Sequence, residues 1–275
     1  MKEKSFQRGI VYATSFNSWA TSVPKLLDSC SLTNRLENEK IIVIKPNLVE
    51  DLPPPITTPV ELVTTLIRYL KRTCRAKIIV AEGSGSIQYD TLHAFRKLGY
   101  CKMAGEEGVE LIDLNGESLE RHHKKECKRW PEMYLPKLTN KPFLISVPVL
   151  KAHSLAGVTL TMKNMMGLAP PSHYRQGNSW QKSAFHEQIQ EAVADLNRYR
   201  TPDFTLLDAT VGMPEAHLWG AHCEPPINKL VAGYDPVALD AYGASLLDID
   251  WREIGHIREL HQELGIAEPL EIQEV

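Results

Sequence analysis

The chain has 275 residues, 43% of them hydrophobic, which is enough apolar material for a sizeable core. Thirty-one Lys and Arg residues stand against 34 Asp and Glu residues, so the net charge is -3. This balance excludes a general basic field of the kind that holds nucleic acid or an anionic membrane. Any anion site must therefore be local.

The cysteines and the N-terminal segment point to a reducing compartment. Five cysteines are scattered at positions 30, 74, 101, 127 and 223, without a C-x-x-C pair. This argues against a disulfide scaffold, a zinc ribbon and a self-contained iron–sulfur cluster. The first residues lack the apolar stretch of a signal peptide, and no apolar run approaches roughly 18 residues. We expect a cytoplasmic protein without a membrane span.

Strand-like and helix-like segments alternate from residue 41 onward. Residues 41–47 (IIVIKPN) predict a buried strand, because this short run is rich in β-branched residues. Thr58 as N-cap, Pro59 in the first turn and Glu61 in a capping box predict the start of a helix. Residues 77–86 (KIIVAEGSGS) predict a second strand that runs into a glycine-rich turn.

The remaining predicted elements continue this alternation. We expect further helices at 89–98, 185–200, 236–247 and 253–264, and further strands at 109–114, 143–150, 203–210 and 229–234. Gly99 ends the first of these helices, and Asp235 caps the third. Strands and helices at these spacings predict one α/β domain over residues 1–275, with a mostly parallel sheet, βαβ crossovers and helices on both faces.

Residues 115–142 interrupt this pattern. They lack clear periodicity and predict a loop, a hairpin or a small inserted subdomain. Their basic run, Arg121 to Lys125, is typical of a solvated surface.

Polar residues follow four of the predicted strands. Since the carboxyl ends of parallel strands share one edge of the sheet, we expect these side chains to line one crevice. They are Lys45 and Asn47, Glu82 with Ser84 and Gly85, Lys151 and His153, and Asp208. Lys45 precedes a proline, which favours extended backbone at that lysine. A lysine there is suited to pair with a carboxylate or phosphate, or, if desolvated, to act as a base or nucleophile.

A second polar cluster lies in the segment 158–167 (VTLTMKNMMG). Lys163 and Asn164 repeat the chemistry of Lys45 and Asn47, but the periodicity leaves helix and strand open. If Lys45, Lys151 and Lys163 converge, an anionic ligand or carboxylates such as Glu82, Asp208 and Asp240 must compensate them.

The histidines provide candidates for proton transfer. His153 is the preferred general acid or base, because nearby lysines would lower its pKa and keep the ring neutral. His173, His186, His217 and His222 show no compact metal-ligand spacing, so a divalent metal site would have to be assembled from distant positions. The turn at 83–88 matches neither a dinucleotide fingerprint nor a P-loop, although it fits a weaker anion-binding turn.

Six segments in this order resemble the family called domain of unknown function 362, over roughly residues 40–250. They are IIVIKPN, AEGSGS, SVPVLKAH, TLTMKNMMG, LLDAT and AGYDPVALDAYGASLL. The resemblance implies an α/β domain, which many relatives fuse to a ferredoxin-like module with iron–sulfur clusters. The recurrent positions matched are Lys45, Asn47, Lys151, His153, Lys163, Asn164, Asp235 and Asp240.

Two departures qualify the resemblance. The chain has no C-x-x-C-x-x-C run, so a redox role would need a separate ferredoxin-like partner. Relatives often carry a further lysine where this chain has Val149. A looser similarity, taken as analogy, links the chain to the nickel-pincer lactate racemase group, which also places lysines and histidines in an α/β crevice.

Three functions compete at this point. The first is an enzyme that binds a small anionic metabolite through Lys45, Lys151 and Lys163, while His153 moves a proton in isomerase-like or lyase-like chemistry, with or without a metal. The second is an electron-transfer or cofactor-handling protein, which requires Cys101, Cys127 and Cys223 to meet or an iron–sulfur partner. The third is a binding module for an acidic metabolite. The first is preferred; the cofactor is unassigned, and neither nucleic acid nor a membrane is an expected partner.

Overall fold

The structure is a computed structural model that describes residues 7–177 and 180–275. Its strands are β1 (Ile10–Ser15), β2 (Ile41–Pro46), β3 (Lys77–Glu82), β4 (Glu110–Asp113), β5 (Leu119–His123), β6 (Glu132–Pro136), β7 (Phe143–Val147), β8 (Val149–His153), β9 (Gly157–Thr159), β10 (Phe204–Met213), β11 (Lys229–Gly233) and β12 (Glu271–Glu274). Its α-helices are α1 (Trp19–Ser29), α2 (Leu32–Leu36), α3 (Val60–Thr73), α4 (Thr91–Lys97), α5 (Tyr100–Glu107), α6 (Thr161–Asn164), α7 (Pro171–Tyr174), α8 (Ile189–Tyr199), α9 (Pro236–Ser245) and α10 (Gly255–Leu260).

A mixed, mostly parallel sheet forms the centre of the protein. Its strand order is β12-β1-β11-β10-β7-β2-β3-β4, and β8 branches from β10 and pairs with β9. Neighbouring strands are parallel except that β11 opposes β1 and β10, and β9 opposes β8. Val43 of β2 lies opposite Ile79 of β3 and Leu144 of β7, which sets the register of the central strands. The expected α/β class is confirmed.

Helices cover both faces of the sheet because the strand side chains alternate. Ile42 and Ile44 of β2 pack in an apolar layer with α1 and α3. Val43 lies in the opposite layer, with α8 and α9. The functional cavity described below belongs to this second side.

Several predicted boundaries were wrong for local reasons. The run 143–150 is two strands, because Pro148 separates β7 from β8. Thr58 does not cap α3: its hydroxyl accepts from the Asn47 amide and donates to the Val147 carbonyl, and Pro59 takes the cap position. The predicted helices at 185–200 and 253–264 shorten to α8 and α10. Strand β1 and helix α1 had no predicted counterpart.

Residues 115–142 form the β5–β6 hairpin, flanked by short 3-10 turns. Its basic run is largely exposed, and Arg121 pairs with Glu132 on the facing strand. Two amides of the hairpin, at Arg129 and Trp130, donate to the Asp195 carboxylate of α8. The loop that connects β5 and β6 therefore attaches the hairpin to the helical layer. None of the helices in the described ranges is long and apolar enough to cross a membrane.

Candidate functional site

A buried ion pair joins the ends of β2 and β3. The Lys45 ammonium lies 2.9 Å from the Glu82 carboxylate, and both side chains are almost fully buried. Glu82 also accepts from the backbone amides of Leu48 and Gly83, so its charge is held by several donors. Burial lowers the pKa of Lys45, and the charge of Glu82 opposes that shift. Because β2 and β3 are neighbouring strands, the Lys45 and Glu82 side chains at their ends lie next to each other and hold each other in place.

Two asparagine amides extend this network to a second lysine. Asn164 Oδ1 accepts from Lys45 Nζ at 3.1 Å and from Asn47 Nδ2 at 2.9 Å. Asn47 Oδ1 then accepts from Lys151 Nζ at 2.9 Å. Each amide oxygen faces a donor, which sets the orientation of both amides. The motif residues of β2 and β8 thus converge, as their position at the strand ends predicted, and helix α6 brings Asn164 to the same place.

Lys151 is buried, and no carboxylate of the described residues is in direct contact with it. Its ammonium donates to Asn47 and, at 2.6 Å, to the backbone carbonyl of Ile56. Desolvation, followed by repulsion from Lys163, holds its pKa well below the usual range, and Glu82 opposes this. Its protonated form is therefore costly until a negative charge approaches.

Lys163 is half-buried on α6 and differs from the other lysines of the site. In the described part of the chain, no hydrogen bond or ion pair engages its ammonium. Desolvation lowers its pKa to about 8. Helix α6 is held in place by Asp240, whose carboxylate accepts from the amides of Thr161 and Met162. By holding the first amides of α6, Asp240 helps to position Lys163.

Sequence reasoning missed a fourth lysine, Lys182. Its buried ammonium donates to the Asn115 side chain at 2.7 Å and to the Ala169 carbonyl. Desolvation lowers its pKa to about 7; the Glu82 charge acts against that shift, and Lys45 adds to it. The segment 175–186 has no periodicity that could have revealed it. It is brought to the site by long-range contacts, including the Gln181 amide bonded to the Gly85 carbonyl.

The histidine rings at the site are neutral. His153 Nδ1 accepts from the amides of Leu155 and Ala156, both at 3.1 Å, so the neutral ring carries its proton on Nε2. Its face stacks on His217 with ring centroids 4.0 Å apart. Desolvation and the nearby lysines lower the pKa of His153 and of His186, and that of His217 to about 3. The remaining ring nitrogen, Nε2, therefore carries the N–H group of His153.

Two glycines permit the close packing around the ion pair. A Cβ atom built on Gly167 would lie 2.1 Å from Glu82 Oε1 and 2.4 Å from Lys45 Cε. One built on Gly83 would lie 2.3 Å from the carbonyl oxygen of Gly167. Gly83 of the AEGSGS segment and Gly167 of the MKNMMG segment are thus required by contact distance.

These side chains surround a cavity of about 450 Å³, here called the lysine cavity. Its polar lining consists of Lys45, Asn47, Glu82, Lys151, His153, Ser154, Thr159, Lys163, Asn164, Lys182, His186 and His217. Apolar residues and glycines complete the lining: Val49, Gly83, Gly85, Leu155, Met166, Gly167, Trp180, Ala216, Leu218 and Trp219. The size is within the usual range for a small-molecule site.

Three expected ligand-binding residues lie outside the lining. Ser84 bonds to the Val49 carbonyl and to the Ser86 amide. Asp208 shares the strand face of Leu206, on the opposite side of the sheet, and accepts from the Thr210 amide. Asp240 faces the start of α6 and therefore does not contact the lysines, contrary to the expectation.

Other candidates are also placed by their contacts. Asp235 accepts from the amides of Val237 and Ala238 and therefore caps α9, as predicted. His173 is exposed and stacks on Tyr134, and His222 is exposed. Within residues 7–177 and 180–275 there is no group of three or more His, Cys, Asp or Glu side chains suited to a metal ion. The meeting of Cys101, Cys127 and Cys223 that the redox hypothesis required is therefore not found there.

The family model for the domain of unknown function (DUF362) matches residues 42–245. Among solved structures, the fold is similar to the lactate racemase apoprotein from Thermoanaerobacterium thermosaccharolyticum, with a TM-score of 0.52 and 16% identity. That match covers 88% of this chain and 57% of the racemase chain. A structural genomics protein from Thermotoga maritima gives a TM-score of 0.44 at 12% identity, over 82% of this chain and 59% of that one. No curated protein matched. The chain thus spans less than two thirds of either solved chain, and the likeness concerns the fold.

Proposed function

This chain belongs to the DUF362 family, and from that premise we propose that the lysine cavity binds a small molecule bearing a carboxylate or phosphate and that the reaction moves a proton on it. One observation carries the proposal: four lysines line the cavity, against the single carboxylate of Glu82. Three of these lysines are almost fully buried, so their charges are poorly solvated. A bound anion would supply the missing negative charge.

The lysines divide between structure and ligand binding. Lys45 is neutralised by Glu82, and Lys151 is anchored by Asn47 and a backbone carbonyl. Lys163 has a free ammonium, so we assign it the first contact with the anion. Binding would raise the pKa of Lys163 from about 8 and keep it protonated.

We assign proton transfer to two other residues. A general base works best when its pKa is near the working pH, and Lys182 has a pKa of about 7. When neutral, its amine still has two N–H groups for Asn115 and Ala169 and keeps a lone pair for a proton. His153 offers its Nε2–H to the oxygen on which negative charge develops. This division suits isomerase-like or lyase-like chemistry.

The test combines binding with solvent exchange. Calorimetry with inorganic phosphate and with short hydroxycarboxylates measures affinity, and NMR in D₂O measures deuterium incorporation next to the carboxylate. Lys163→Met is expected to weaken binding about tenfold or more. Lys182→Gln retains both hydrogen-bond donors and should bind while losing exchange.

Lys125→Met, on the exposed hairpin, is the matched control and should change neither result. Binding without exchange for every anion would identify a binding module rather than an enzyme. Equal affinities for wild type and Lys163→Met would contradict the anion site itself.

A further inference from the structure

The entrance of the lysine cavity is apolar, in contrast to its charged floor. Within the described ranges, six large hydrophobic residues are exposed, and three of them line this cavity. They are Leu155, Trp180 and Trp219, with 57%, 43% and 79% of their surface exposed. Exposed apolar side chains gathered at one concave site indicate a binding surface.

The two tryptophans at the entrance also lack ring partners. Trp19, Trp130 and Trp251 each pack against another aromatic ring or a histidine. Within the described part of the chain, Trp180 and Trp219 have no such contact. An indole face that is left open in a concave site is suited to stack against a flat ring of a ligand.

The floor supplies a matching site for a charged head. The ammonium of Lys163 and the buried hydroxyl of Thr159 both line the cavity, and neither has a hydrogen-bond partner among the residues that the structure describes. Buried polar atoms of this kind are normally satisfied, so a ligand oxygen here would complete their bonding.

The volume distinguishes between ligand sizes. A cavity of about 450 Å³ is many times the roughly 30 Å³ that one water occupies in the liquid. A three-carbon hydroxy acid would leave the apolar entrance uncovered. A ligand with an anionic head and an apolar body would fill both parts.

We propose that the ligand of the lysine cavity is an amphiphilic anion, in which a carboxylate or phosphate contacts Lys163 and Thr159 and a flat aromatic body stacks on Trp219 and Trp180. This inference rests on the proposed function, because it specifies the class of anion that the site takes. The exposed apolar residues line a concavity, which favours a small molecule over a protein surface.

The experiment compares matched ligands by isothermal titration calorimetry. The pairs are inorganic phosphate with 2-naphthyl phosphate, and acetate with 2-naphthoate; 2-naphthol supplies the ring without the charge. The naphthyl member of each pair should bind about tenfold more tightly than its small partner. Trp219→Ala should remove most of that advantage and leave the affinity for phosphate unchanged, whereas Trp251→Ala, outside the cavity, should change neither.

The outcomes separate this inference from the proposed function. If phosphate or acetate binds in a Lys163-dependent way but the ring adds nothing, the amphiphilic ligand is wrong and the anion site stands. If 2-naphthol binds as tightly as the charged naphthyl compounds and Lys163→Met has no effect, the anion site is wrong. If none of the probes binds, both are wrong. The phosphate and carboxylate pairs show which head group is preferred.

Discussion

The lysine cavity and the β5–β6 hairpin contain the same kinds of basic residue in opposite environments. On the hairpin, Arg121 is exposed and its hydrogen bond to Glu132 raises its pKa. In the cavity, Lys151 is fully buried, and desolvation lowers its pKa far below the usual range. A run of basic residues in the sequence is therefore a weaker indicator of an anion site than lysines isolated at the ends of buried strands.

The stability of the two regions should differ most when one partner of an ion pair is removed. Glu82→Gln leaves the buried Lys45 charge without a counter-charge, and we expect it to lower the free energy of unfolding by about 3 to 5 kcal/mol. Glu132→Gln breaks the exposed pair with Arg121, where water replaces the partner, and should leave the unfolding midpoint nearly unchanged. Urea denaturation measures both. Equal losses would mean that burial does not distinguish the two regions.

The second comparison concerns how closely atoms pack in the two regions. Gly167→Ala places a methyl group against the Lys45–Glu82 pair, and we expect a destabilisation of about 1 to 3 kcal/mol. Gly116→Ala, just before the hairpin, meets no atom within 4 Å and should be tolerated. Thermal unfolding of the two variants tests this. A stable Gly167→Ala protein with unchanged anion affinity would show that the close approach is dispensable.

Two aspartates hold backbone amides in the two regions and provide a further comparison. Asp240→Asn weakens the hold on α6, and we expect a loss of about 1 to 2 kcal/mol together with weaker anion binding, because Lys163 shifts. Asp195→Asn weakens the hold on the hairpin and also removes a buried charge partner of Arg198, so it should cost more stability while leaving anion affinity unchanged. Calorimetry alongside unfolding separates the two. Loss of binding in Asp195→Asn would refute the assignment.

The last comparison concerns the pH dependence of stability. The pKa of Lys163 is about 8 in the fold and near 10.4 when unfolded, so between these values the unfolded chain binds the extra proton. Its contribution to stability therefore rises with pH in this window, by at most about 1.4 kcal/mol per unit. Anion binding should weaken over the same window. Lys163→Met should remove the Lys163 contribution to this slope and Lys125→Met should keep it; identical slopes in both would contradict it.

Much of the site could be predicted from the polar residues that follow the strands in the sequence. Lys45 and Lys151 converge, as predicted, because parallel strands end at one edge, whereas Lys163, whose convergence was only a condition in the sequence, is brought to the same cavity by helix α6. Asp208 also follows a strand, but the alternation of side chains turns it to the opposite face of the sheet. A polar residue that follows a strand is therefore a good site candidate only if its side chain also points to the cavity face of the sheet.

Other features of the site could not be predicted from the local sequence. Lys182 and Trp180 lie in an aperiodic segment whose position depends on contacts with residues far away in the chain. The tautomer of His153 depends on two amides that follow it in a tight turn, which the sequence does not encode as a motif. The inverse error occurred at Thr58, where a local capping pattern was overridden by tertiary hydrogen bonds.

Proton uptake on anion binding tests the central claim most directly. Sulfate, which does not titrate near neutrality, is bound at pH 8 in buffers of different ionisation enthalpy, and calorimetry gives the number of protons taken up. Because the pKa of Lys163 is about 8, wild type and Lys125→Met should each take up roughly half a proton or more, with less for Lys163→Met. Absence of binding, or binding with the same uptake in all three proteins, would contradict an anion site built on the desolvated lysines.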